Sequence, residues 1–195
     1  MSSGPVEALL ISTGVVALGE MGDKTQLLAM LLAVKFRKPV PIILGIFVAT
    51  LFNHASAGLV GGWIAQALGP VVLRWVIGLS FIAMAGWMLV PDKIDTDEAT
   101  APQRVGVFGT TVIAFFLAEM GDKTQIATVA LAARFHDLWA VVGGTTLGML
   151  IADVPAVFIG DRLAQKIPMT LVHAIAAAIF AVLGLLALFD VGKVF

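Results

Sequence analysis

The chain has 195 residues, 59% of them hydrophobic and 13% charged, with a mean hydropathy of +1.01 and a net charge of −1. A soluble domain carries about 25% charged residues, so this deficit points to a polytopic membrane protein whose outer surface meets lipid. The near-neutral balance gives no footing for nucleic acid, and the absence of cysteine excludes disulfides, thiolate metal sites and a cysteine nucleophile. With only His54, His136 and His173, a zinc site built on imidazoles is a poor fit as well.

A helix needs about 20 predominantly apolar residues to cross a bilayer core. In chain order, six stretches meet that need: 6–33, 40–66, 71–90, 106–133, 138–164 and 169–190. The opening "MSSGPVEALL" lacks the basic start of a secretory signal peptide, so the first stretch is read as a retained span. The breaks "KFRKPVP", "LGP", "PDKIDTDEATAPQR", "RFHD" and "IP" separate successive spans. The second stretch is long for one crossing, which predicts tilt or a broken helix near Gly61-Gly62. The tails are short, so no soluble domain is expected.

An internal repeat organises the chain. The heptapeptide "EMGDKTQ" stands at 20–26 and again, letter for letter, at 119–125. Without a gap, the same register pairs Leu18 with Leu117, Phe36 with Phe135, Gly45 with Gly144, Gly61 with Gly160 and Phe81 with Phe180. The reading is therefore a first three-helix repeat at 1–90, a cytoplasmic linker at 91–105 and a second repeat at 106–195. An odd number of crossings starts the second copy from the opposite membrane face, so the repeats are expected to be inverted. The expected fold is all-α, with six transmembrane helices as two inverted three-helix repeats. Lys35, Arg37, Lys38, Lys93, Arg104, Arg162 and Lys166 gather on one side, against Arg74, Arg134 and Lys193 on the other. That bias predicts both termini outside the cytoplasm.

Each heptapeptide sets acids near the middle of a span, where a charge costs roughly 2.5–3.5 kcal/mol on insertion scales unless it finds a partner. On a continuous helix Glu20 and Asp23 share a face, Glu119 and Asp122 do likewise, and Gln26 and Gln125 extend those faces. A bland account pairs Lys24 with Glu20 and Lys123 with Glu119 within each helix, but it leaves Asp23 and Asp122 without partners. The functional account starts from charge: each ionised copy sums to −1, so two facing copies match a divalent cation. Carboxylates, amides, the hydroxyls of Thr25 and Thr124 and backbone carbonyls are hard donors suited to Mn²⁺, Ca²⁺ or Mg²⁺. Gly22 and Gly121 would let each helix unwind toward the ion. Clustered acids also take up protons when no cation holds them, so M²⁺ and H⁺ compete for one site.

Two copies of E-x-G-D-[KR]-[ST] in a six-span chain of this length resemble a known cation/proton antiporter family. That family includes Golgi calcium/manganese transporters, chloroplast manganese transporters and bacterial manganese exporters. The resemblance covers essentially the whole chain and implies that Glu20, Asp23, Glu119 and Asp122 bind the ion. Lys24, Thr25, Lys123 and Thr124 complete the signature. It further implies a fold like the lysine-exporter superfamily, and the compact length looks like the bacterial branch, where manganese export is the usual assignment. The expectation is an inner-membrane antiporter that exports Mn²⁺, or Ca²⁺, in exchange for H⁺, with no prosthetic group. Whether it forms a homo-oligomer is left open.

Other features carry two readings each. His54 aligns with Asp153 across the repeat, where the halves differ most in polarity. Asp153 reads as an added ligand or proton relay, or as part of a helix-breaking Asp-x-Pro turn. Asn53 and His54 read as lining an access path, or as interhelical hydrogen bonders. Gly45 with Ala49, and Gly144 with Gly148, form small-xxx-small patterns for close helix packing. Met21 and Met120 fill gaps or add thioethers, and the acidic linker is a solvated connection or a cation-gathering mouth. Trp63, Trp75, Trp87 and Trp139 suit interfacial anchors. A passive channel and an intramembrane aspartyl protease are the rival functions; the protease signature G-x-G-D would need Gly in place of Glu20 or Glu119.

Overall fold

A computed structural model describes residues 4–90, 105–159 and 169–189. Among them the chain is all-α, with no strand. The helices are α1 (Pro5–Glu20), α2 (Lys24–Phe36), α3 (Pro39–Ala67), α4 (Pro70–Met88), α5 (Gly106–Glu119), α6 (Lys123–Phe135), α7 (Leu138–Ile159) and α8 (Met169–Leu188). The acidic stretch of the linker and the "IP" break fall outside the described residues.

Local chemistry sets the boundaries. Proline opens α1, α3 and α4, where its missing N–H would have no intrahelical partner anyway. Helices α2 and α6 end on Arg37 and His136 in the left-handed region, at φ 52° and 53°, with their N–H groups bonded back to the carbonyls of Ala33 and Ala132.

Among the described residues three helices, α3, α4 and α7, are long and apolar enough to cross a membrane, and α1 with α2 forms a fourth candidate bent by 69° at its break. Helix α5 and the stretch Ala174–Leu188 are shorter apolar helices. The chain is a polytopic membrane protein, but two of the six expected spans are not single helices. The first is divided between α1 and α2, and the fourth between α5 and α6. The break expected at Gly61-Gly62 does not occur, because α3 continues through both glycines. Gly61 serves close packing instead: a Cβ there would lie 2.2 Å from the Val129 carbonyl oxygen of α6. Nor does Asp153-Val-Pro155 break α7, which carries Pro155 within it, on an exposed face.

Packing joins helices from opposite halves of the chain. Helix α1 lies on α7, α3 on α5 and α4 on α8, and α3 also touches α6 and α7. The small-xxx-small positions make these approaches. A Cβ on Gly45 would meet Thr111 at 2.6 Å, and one on Gly144 would meet the Leu9 carbonyl oxygen at 2.5 Å. Where α4 meets α8, the rings of Phe81 and Phe180 stand 5.9 Å apart.

The contacts also give direction. Gly144 meets Leu9 and Ser12, while Gly148 meets Thr13, Val16 and Ala17, so α1 and α7 run parallel. Helices α3 and α5 do the same: Gly45 meets Phe108 and Thr111, and Asn53 bonds to Phe116. The radial pattern suits lipid, with Phe52, Trp63, Trp139 and Phe158 exposed on the outside and acids, threonines, Asn53, His54 and Lys123 buried within.

Candidate cation site

Both heptapeptides fold into the same interruption. Helices α1 and α5 stop at their glutamates, Gly22 and Gly121 take φ values of 82° and 75°, and Asp23 and Asp122 begin the next helices in extended conformation. A positive φ costs an L-residue roughly 1–2 kcal/mol and glycine almost nothing, which explains the glycine between the acids. Each turn is closed by a backbone bond, Asp23 N–H to Glu20 C=O at 3.0 Å and Asp122 N–H to Glu119 C=O at 3.1 Å. Gln26 and Gln125 fold back to accept the N–H of Gly22 and Gly121, at 3.0 and 2.7 Å.

This geometry corrects the single-face expectation. Glu20 and Asp23 belong to different helices, as do Glu119 and Asp122, and the glutamines brace the breaks instead of extending an acidic face. Gln26 also donates through Nε2 to the Ala152 carbonyl oxygen of α7 at 3.0 Å. The threonines act similarly in the two copies: Thr25 Oγ1 donates to Glu20 Oε2, and Thr124 Oγ1 donates to Glu119 Oε2 at 3.2 Å. Neither Asp caps its own helix with its side chain.

The two breaks meet. Lys123 Nζ stands 3.1 Å from Asp23 Oδ1, and Lys24 Nζ stands 3.5 Å from Asp122 Oδ1, so each lysine reaches the aspartate of the other copy. Lys123 is fully buried, while the Lys24 side chain is about one-fifth exposed. Glu20, Asp23 and Asp122 each present an oxygen within 4.8 Å of the other two, a spacing that suits a shared cation. Glu119 lies outside that group of three. Its Oε2 sits 3.8 Å from His54 Nε2 as well as accepting from Thr124.

Of the remaining sequence candidates, Asn53 donates through Nδ2 to the Phe116 carbonyl oxygen at 3.1 Å and so ties α3 to the end of α5. Asp153 is fully buried on α7, and among the described residues neither of its oxygens has a hydrogen-bond partner. Met120 is more than half exposed, whereas the acids are buried. On α3, His54, Gly58, Gly62 and Gln66 follow one another at four-residue spacing, on one face. The last three line a groove of about 330 Å³, together with Trp63, Ala132, His136 and Leu138.

The crossed lysine pairs were not expected from the sequence. Their only signal was the lysine after each aspartate, whose partner depends on how the halves interleave.

Four buried carboxylates and a buried lysine at two helix breaks, with a fifth buried acid on α7, inside an apolar shell define a class, that of secondary ion transporters rather than enzymes. The chain belongs to the divalent cation/proton antiporter family GDT1, whose model matches residues 8–96 and 107–193. It is 50% identical to a Vibrio cholerae protein named "Putative manganese exporter", over 94% of this chain and 92% of that one. A GDT1-like protein of Synechocystis is 26% identical over 86% of this chain and 91% of its own. GDT1-like protein 3 of Oryza sativa is 28% identical over 91% of this chain and 72% of its own. No solved structure matches the chain.

Proposed function

We propose that this antiporter exports Mn²⁺ from the cytoplasm across a bacterial inner membrane in exchange for protons. The observation that carries the reading is the convergence of Glu20, Asp23 and Asp122, from both heptapeptides, within 4.8 Å. All the offered donors are hard oxygens, which suit Mn²⁺ and also accommodate Ca²⁺. The half-identical Vibrio relative named as a manganese exporter favours Mn²⁺.

Charge supplies the mechanism. With Glu20, Asp23, Glu119 and Asp122 ionised and Lys24 and Lys123 protonated, the two copies sum to −2, which one divalent ion neutralises. An ion arriving at the three-acid group displaces the Lys123 ammonium from Asp23. When the ion leaves, the lysines and protons take over the balancing of charge. M²⁺ and H⁺ thus occupy the acids alternately, which couples their opposite movements. Glu119, beside His54, contributes from the edge of the group.

Inverted three-helix repeats at 1–90 and 106–195 fit the parallel run of α1 with α7 and of α3 with α5. A direct, non-inverted duplication would make those pairs antiparallel. In this arrangement the two breaks enter from opposite faces, both termini lie outside the cytoplasm, and the groove beyond His54 serves as the outer exit.

The test is flux in proteoliposomes with an acidic lumen. Mn²⁺ uptake should run with the proton gradient and alkalinise the lumen, and Glu20→Gln or Asp122→Asn should abolish both signals. Uptake indifferent to the gradient would instead indicate a channel.

A further inference from the structure

We propose that Asp153 is a further cation-binding residue, which joins Glu20 to hold the divalent ion on the α1 side of the site. This rests on the reading of the heptapeptides as a cation site and adds a carboxylate from outside them. The register of α1 and α7 brings the two acids level. Gly148 touches Thr13, Val16 and Ala17, and the parallel run carries Asp153, about 7.5 Å further along α7, to the height of Glu20. The Gln26 bond to the Ala152 carbonyl fixes the peptide next to Asp153 against the first break.

Both Asp153 oxygens and Glu20 Oε1 are buried and lack hydrogen-bond partners among the described residues. A buried acid in that condition needs a cation or a proton, and a divalent ion at Glu20 supplies the first. The first half offers no equivalent carboxylate: the matching position on α3 is His54, beside Glu119. The pocket is therefore two-sided. It has an added carboxylate next to the first heptapeptide and an imidazole next to the second, so the ion is drawn toward Glu20.

The rival account is a neutral structural acid, which asparagine would mimic in shape and hydrogen bonding. Mn²⁺ binding to the purified protein, followed by loss of the free-ion paramagnetic resonance signal, separates the two. Asp153→Asn should raise the dissociation constant at least about tenfold while the protein stays monodisperse. Asp153→Cys supplies the chain's sole thiol and should exchange Mn²⁺ for Cd²⁺, with Cd²⁺ protecting that thiol from alkylation. Unchanged Mn²⁺ binding in the asparagine variant, or a thiol alkylated equally with and without Cd²⁺, would overturn the assignment. A wild-type protein that binds no Mn²⁺ would instead overturn the underlying reading of the heptapeptides.

Discussion

Replacing Lys123 with methionine removes a buried ammonium 3.1 Å from Asp23 and keeps all but the last atom of the side chain's length. Breaking a buried ion pair by deleting one partner costs about 3–5 kcal/mol, because the remaining charge stays desolvated. A divalent ion at Glu20, Asp23 and Asp122 would supply positive charge in its place. At a concentration a hundredfold above its dissociation constant, a ligand adds about 2.7 kcal/mol of stability. Lys123→Met should therefore unfold well below the wild type in chelator and recover most of the difference in Mn²⁺. The wild type should gain less from the metal, since its lysine has to move aside first. Tryptophan fluorescence during heating in detergent reads both effects. Lys24→Met should lose less, because that lysine is partly exposed and its contact is longer, at 3.5 Å. Equal stability of wild type and Lys123→Met in chelator, or an equal Mn²⁺ shift in both, would refute the reasoning.

Gly61→Val should prevent α3 from seating on α6, since even a Cβ would lie 2.2 Å from the Val129 carbonyl oxygen. Overpacking costs about 1–3 kcal/mol in ordinary cores and more against backbone, so the yield of monodisperse protein should collapse, while Gly62→Ala, which meets nothing within 4 Å, should not change it. Gly121→Ala also meets no neighbour but must hold φ at 75°, so it should cost roughly 1–2 kcal/mol in thermal unfolding and slow transport without abolishing the fold. Gly62→Phe should fill the groove beyond His54, leaving Mn²⁺ binding intact and cutting proteoliposome flux severalfold. Unchanged flux would remove the groove from the exit route.

The broken helices were legible because glycine between two acids has few other uses in a membrane span. The all-α membrane fold was legible from hydropathy, and the small-xxx-small pairs pointed to close packing that Gly45, Gly144 and Gly148 provide. Other features depended on tertiary neighbours that periodicity does not carry. Gly61 looked like a kink because a lone sequence does not separate a flexible glycine from one pressed against a carbonyl. Gln26 and Gln125 looked like parts of an acidic face because helical spacing was extended across a break. The crossed lysine pairs needed both breaks to be at one place, which no single half encodes. Of the four acids in the heptapeptides, Glu119 is set apart from the other three, beside a histidine that the repeat alignment matches to Asp153.

The most direct test is the stoichiometry of Mn²⁺ binding to the purified chain, with Asp23→Asn and Asp122→Asn measured beside it. One ion per chain, lost in full on either substitution, is the result expected if both halves build one pocket. Two ions per chain, or half of the binding surviving each substitution, would mean that each heptapeptide binds separately and would contradict the account.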